Sequence, residues 1–276
     1  MIDRQALQDR LIAQLAARPE IRSVHTFGRA VSGQPDAYSD LDLVIASSDR
    51  PQTQRVLPEL FAAISPVRSQ LILASSPDLY AAMVMLRDCS PYQKIDLSII
   101  DHIESQARFG PFLALYENSA PTPTNDAPLP IIDLNADLQN QLNDILFSIP
   151  RFAKCLFRHD PYLYQRFYAT VENTLTLLYE SHHDWQMPKR AKLNSREYQQ
   201  LYAGLKDAER SQVEKILPFD ARPDIPQSFL ACIDLLLDLY QTKAQALNLS
   251  LDDAFNTYIR NFLSTEIRRF RTLPTH

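Results

Sequence analysis

The stretch Phe27-Gly28-Arg29-Ala30-Val31-Ser32-Gly33, followed by Tyr38-Ser39-Asp40-Leu41-Asp42-Leu43-Val44-Ile45, decides the reading of this 276-residue chain. The chain has four glycines, and two of them fall here, five positions apart. A chain so poor in glycine uses it where backbone geometry demands it. Asp40 and Asp42 then stand at i and i+2 and lead into an apolar run. In a strand that spacing points both side chains to one face. Two carboxylates at close range repel each other unless a cation sits between them. Mg2+ takes oxygen ligands and favours carboxylates together with substrate phosphates. Two such ions clamp the attacking and leaving oxygens of an in-line displacement. A glycine turn beside paired carboxylates therefore points to metal-assisted chemistry on a nucleotide.

A third carboxylate would complete such a site, and Asp96 is the candidate. It interrupts the apolar run Ile95-Asp96-Leu97-Ser98-Ile99-Ile100, where a solvated surface aspartate is out of place. Each part has a plainer explanation. Asp-x-Asp is common in solvated turns, and a lone aspartate can cap a helix or pair with an arginine. The combination is more specific: two glycines, a fixed gap, Ser39-Asp40-x-Asp42 before a strand, and an acid in a later strand.

Working outward, residues 3–18 carry Leu7, Leu11, Ile12 and Leu15 at helical spacing, with Asp3 as N-cap. Strands are expected at 23–27, 41–46 and 71–73, and a helix at 52–64. The runs 83–86 and 95–100, separated by the turn formers of 87–91, read as an antiparallel hairpin. Pro121, Pro123, Pro128 and Pro130 give residues 118–135 a linker composition. Beyond it every signal is helical: one stripe through Leu138, Leu142, Ile145 and Leu146, then 162–179, 195–205, 207–217, 229–247 and 254–270. The expected architecture is α+β: a mixed sheet with flanking helices in residues 1–120, a Pro-rich linker at 121–134 and an all-helical domain at 135–276.

Composition sets the outer limits. Hydrophobic residues make up 45% and charged residues 22%, as in an ordinary globular protein that buries a core without staples. The net charge of -5 argues against an extended footprint on nucleic acid. Cys89, Cys155 and Cys232 are odd in number and far apart, so neither a disulfide framework nor a zinc site is indicated, and the cytoplasm is the expected compartment. No run approaches the ~20 apolar residues that cross a bilayer, and no signal peptide is expected.

The pattern Phe27-Gly28-x-x-x-x-Gly33-x-x-x-x-x-Ser39-Asp40-x-Asp42-Leu43 resembles the signature of the nucleotidyltransferase superfamily related to DNA polymerase β. Its spacing is similar to that of the antibiotic nucleotidyltransferases, which adenylylate aminoglycosides or lincosamides. The motif covers about 20 residues, and the fuller resemblance spans roughly residues 1–110. It implies that Asp40 and Asp42 bind Mg2+. It makes Asp96 the third carboxylate, as metal ligand or as general base for the acceptor hydroxyl. It places the triphosphate on the Gly28 turn, with Arg29, Ser32, Gly33 and Ser39 as further phosphate contacts. One departure stands out: Arg29 follows the first glycine where the family usually has serine. An arginine can hold phosphate as a fork. It can also turn outward and leave the anion to backbone N-H groups or to Ser32.

The implied reaction is attack of an acceptor hydroxyl on the α-phosphate of an NTP, with ATP as default donor and pyrophosphate released. The implied acceptor is a small hydroxylated molecule, with aminoglycoside- or lincosamide-like antibiotics as candidates, and the helical half closes over it. Members acting on tRNA or on a protein share the same catalytic motif, and Arg29 also leaves room for a non-catalytic nucleotide-binding module. Lys189, in a small basic cluster with Arg190 and Lys192, reads either as a contact to the triphosphate or as part of a solvated loop. Glu180-Ser181-His182-His183-Asp184 reads as a polar helix end, because adjacent histidines on a helix diverge by about 100°.

Overall fold

The computed structural model of the chain describes residues 1–31, 36–103, 111–118, 127–134, 137–185, 192–218 and 221–273. They divide into two compact units, Met1–Phe147 and Ser148–His276.

The first unit is built on a six-stranded sheet. Its strands are β1 (Ile21–Thr26), β2 (Leu41–Ser47), β3 (Val67–Ser76), β4 (Leu79–Leu86), β5 (Ile95–Ile100) and β6 (Leu113–Glu117), in the order β3-β4-β5-β2-β1-β6. The sheet is mixed. β2 and β5 run parallel, and every other neighbouring pair is antiparallel. The expected pairing of 83–86 with 95–100 is present as β4 against β5. The strand foreseen at 71–73 is the middle of a ten-residue β3. β6 was not foreseen. It is an edge strand of five residues, none of them buried, so it carries little of the apolar alternation that marks a strand in sequence.

Two helices cover one sheet face. α1 (Arg4–Ala16) starts where Asp3 accepts a hydrogen bond from the Ala6 amide, and it buries Leu7, Leu11 and Leu15. α2 (Arg50–Ile64) starts where Asp49 accepts from the Gln52 amide, and it buries Val56, Leu57, Leu60 and Phe61. These side chains share a core with Leu41, Leu43 and Ile45 of β2 and with Ile95, Leu97 and Ile99 of β5. Alternation then fixes the rest: Asp42, Val44 and Ala46, and Asp96, Ser98 and Ile100, belong to the opposite face. Val44, Ala46 and Ile100 form a separate small apolar cluster there.

α3 (Leu138–Leu146) falls before the boundary between the two units. The sequence reading assigned everything after residue 134 to the helical domain, whereas this helix lies in the first unit. The cause is polar. The Asn140 side chain accepts from the Ile72 amide at 2.8 Å and donates to the Ile72 carbonyl at 3.1 Å. Asn143 donates to the Gln70 carbonyl at 2.8 Å. Two amides one helical turn apart thus satisfy the backbone of the edge strand β3, which would otherwise present unpaired groups. An amphipathic stripe reports apolar contacts and is blind to these.

Helices make up the second unit: α4 (Ile149–Arg158), α5 (Tyr162–Ser181), α6 (Ser195–Gly204), α7 (Asp207–Ile216), α8 (Ile225–Leu247) and α9 (Asp253–Arg271). α8 is its centre and packs on α5, α7 and α9. Phe152 of α4 stacks on Phe229 of α8 with ring centroids 3.7 Å apart. The polar end of α5 has the local role its sequence suggests. His182 bonds Glu209 at 3.1 Å, and His183 Nδ1 bonds the Tyr179 carbonyl at 2.8 Å. Cys89, Cys155 and Cys232 are free and buried. Among the described residues no helix is long and apolar enough to cross a membrane.

Candidate active site

β2 and β5 position the candidate site. Their parallel register places Leu41 beside Ile95 and Asp42 directly beside Asp96. Both carboxylates rise from the face opposite α1 and α2, as alternation requires. Neighbouring strands are about 4.8 Å apart. Two unit charges at about 5 Å repel by roughly 3 kcal/mol at an effective dielectric of about 20. Such a pair calls for positive charge nearby.

The alignment continues upstream of both strands. Tyr38 and Tyr92 meet edge to face with centroids 4.9 Å apart. Asp40 and Lys94 follow: the Lys94 Nζ lies 3.0 Å from Asp40 Oδ2 and 4.0 Å from Asp96 Oδ2. The Lys94 side chain is only 7% exposed, while Asp40 and Asp96 are 29% and 25% exposed. The backbone of Lys94 also opens the parallel ladder, its carbonyl accepting from the Leu41 amide at 3.0 Å. Arg4 of α1 donates to the Asp40 carbonyl at 3.1 Å, and Thr26 of β1 donates to the Asp42 carbonyl at 2.8 Å. The backbone of both aspartates is therefore tied to neighbouring elements.

Gly28 closes one side. It begins a short 3-10 turn after β1 and has φ +70°, a conformation L side chains rarely adopt. A Cβ built there would stand 2.9 Å from Asp42 Oδ2. The glycine is thus required twice, by its backbone and by the space it leaves at that carboxylate.

The sequence-derived site is partly assembled in these residues. Asp42 and Asp96 come together. Asp40 precedes the first residue of β2, and its carboxylate is bridged to Asp96 through Lys94. Ser39 is bonded within its own turn. Its hydroxyl accepts from the Asp36 amide and donates to Asp36 Oδ1, both at 2.9 Å, so it closes the turn that feeds β2. Ser32, Gly33 and Lys189, and the side chain of Arg29, lie outside the described residues. Lys192 of the same basic cluster pairs with Glu172 of α5 at 2.9 Å. Lys94 was missed. A lysine ahead of an apolar strand reads as a solvated flank, and the available clue was its position two residues before Asp96, on the same face.

Among the described residues no group of three His, Cys, Asp or Glu side chains is placed to hold a metal ion. Mg2+ does not need such a cage, since it commonly binds through one or two carboxylates, waters and substrate phosphates. Asp42 and Asp96 on adjacent strands, with the Gly28 turn close against Asp42, supply two such carboxylates.

No known protein family matches the chain, and no curated protein matches its sequence. Among solved structures, the chain is similar to a crystal structure of an aminoglycoside 6-adenyltransferase from Bacillus subtilis. The match covers 96% of this chain and 99% of that one at 12% identity, with a TM-score of 0.36.

Proposed function

We propose that this protein is a Mg2+-dependent nucleotidyltransferase that moves a nucleoside monophosphate from an NTP to a hydroxyl of a small molecule. The observation that carries the proposal is the register of Asp42 with Asp96, facing the glycine turn at Gly28. Such a juxtaposition is costly in charge repulsion and has a use when a cation and a polyphosphate share the site.

Asp42 would hold a divalent cation, which would supply charge neutralisation for the triphosphate and the reacting oxygens, and the missing side chain at Gly28 lets the turn approach that carboxylate closely. Asp96 shares the cation or receives the acceptor's proton. The acceptor oxygen forms a bond to the α-phosphorus, the α-phosphorus bond to the bridging oxygen breaks, and pyrophosphate leaves with the electron pair. Backbone N-H groups of the turn at Gly28 receive the phosphates. ATP is the donor and a hydroxylated small molecule the acceptor, an assignment supported by the resemblance of the Gly28 to Asp42 motif to antibiotic nucleotidyltransferases. The chain works in the cytoplasm in this reading.

The test is a panel of hydroxylated acceptors, aminoglycosides and lincosamides included, incubated with each α-phosphate-labelled NTP and Mg2+. Label transferred to one acceptor class, and absent with Asp42→Asn, is the expected result. No transfer to any acceptor and no pyrophosphate release from any NTP overturns it.

A further inference from the structure

We propose that Lys94 is a positioning residue that serves as the resident counter-ion of the carboxylate cluster, restraining its affinity for metal. The inference rests on the metal-site reading above and adds a role for a residue outside it.

Lys94 is the one cation whose ammonium reaches two of the three carboxylates, at 3.0 Å from Asp40 and 4.0 Å from Asp96, among the described ion pairs. Its side chain is almost wholly buried, and a buried ammonium is strongly disfavoured without paired anions. The geometry serves both partners. The carboxylates neutralise the lysine, and the lysine offsets the repulsion between Asp40 and Asp96. Its backbone is fixed by the Leu41 amide and by the preceding turn at Pro91–Gln93, where the Ser90 hydroxyl accepts from the Tyr92 amide. The backbone therefore holds Lys94 beside the cluster, and the ion pairs hold its ammonium there.

Two consequences follow. Without metal, Lys94 holds Asp40 and Asp96 together, so the strand mouths keep their register. With metal, the same positive charge opposes the incoming cation and occupies Asp40. A divalent ion bound by Asp42 and Asp96 must tolerate that charge nearby. Lys94 thus lowers the affinity of the empty site for free metal and leaves the triphosphate, which brings its own negative charge, as the main means of recruiting it.

The experiment measures Mn2+ binding to the full chain from the electron paramagnetic resonance signal of free Mn2+, together with thermal melting in EDTA and in saturating Mn2+. Wild type, Lys94→Met, Lys94→Arg and Asp42→Asn are compared. Lys94→Met is expected to bind Mn2+ at least tenfold more tightly than wild type. It is also expected to melt lower than wild type in EDTA, with the difference narrowed by Mn2+. Lys94→Arg, which keeps the charge, is expected to follow wild type. Unchanged Mn2+ affinity in Lys94→Met, with an equal loss of melting temperature in EDTA and in Mn2+, makes Lys94 a plain structural lysine and overturns the proposal. If Lys94→Met fails to fold in both buffers, Lys94→Gln takes its place, and unchanged affinity there overturns the proposal equally. Failure of the metal-site reading has a different signature: wild type and Asp42→Asn then bind Mn2+ alike.

Discussion

Asp42 and Asp96 stand side by side on parallel strands, on the sheet face that α1 and α2 leave alone. This relationship separates two roles for Asp96 that sequence leaves open. If Asp96 takes the acceptor's proton, Asp96→Asn lowers kcat by 10^2-fold or more, on the order of a general-base contribution, with NTP binding nearly unchanged. If it is chiefly a ligand, Mn2+ affinity falls together with kcat. Steady-state kinetics with an identified acceptor, combined with Mn2+ titration, distinguishes the two. Full activity of a folded Asp96→Asn removes Asp96 from the site.

Gly28→Ala tests the cradle. The substitution forces a Cβ into a backbone with φ +70° and to within 2.9 Å of Asp42 Oδ2. The backbone conformation alone costs about 1–2 kcal/mol. Urea denaturation is expected to show a loss of that order, and Mn2+ or nucleotide affinity is expected to fall further as Asp42 is displaced. Unaltered stability and affinity would show that the turn relaxes freely.

The attachment of α3 to β3 is expected to depend on its two asparagines. Asn143 is buried and bonded to Gln70, and Asn140 covers both backbone groups of Ile72. Removing a partner from a buried group costs about 1–3 kcal/mol. Asn140→Ala and Asn143→Ala should each destabilise the first unit by about that much, read as a lower urea midpoint and as faster hydrogen exchange at Ile72.

Burial pushes the Cys232 thiol up to about 12, against a smaller lowering by the Thr174 hydroxyl. For Cys89, burial and then the neighbouring Asp88 raise it to about 11. Unfolded thiols ionise near 8.5. The unfolded chain therefore loses these protons first as pH rises. Native stability from these thiols is complete below about pH 8.5 and declines through about pH 12, by up to about 1.4 kcal/mol per pH unit for each thiol. Denaturation midpoints at pH 7 and pH 10 should differ, and Cys232→Ala should flatten the difference. A thiol reagent at pH 8 should find none of the three cysteines in the native state and all of them in urea.

Legibility in the sequence followed the kind of force involved. The helices α1, α2, α5, α8 and α9 announce themselves because apolar side chains repeat at their period. The pairing of β4 with β5 announces itself through two apolar runs and a turn. The neighbourhood of Asp42 and Asp96 was readable because each is an acid set in an apolar strand. Polar contacts left no such trace. The asparagines that bond α3 to β3 look like solvent-facing residues, and Lys94 looks like a surface flank. β6 lacks a buried face and so lacks a pattern.

The central claim is that Asp42 and Asp96 form a cation-dependent nucleotide site, and nucleotide binding with and without Mg2+ tests it most directly. Calorimetric titration of ATP into wild type is expected to give binding that requires Mg2+ and disappears in EDTA. In the Asp42→Asn, Asp96→Asn double variant, folded as judged by circular dichroism, the Mg2+-dependent part should be lost by a hundredfold or more in affinity. Equal Mg2+-dependent binding by wild type and the double variant would contradict the claim.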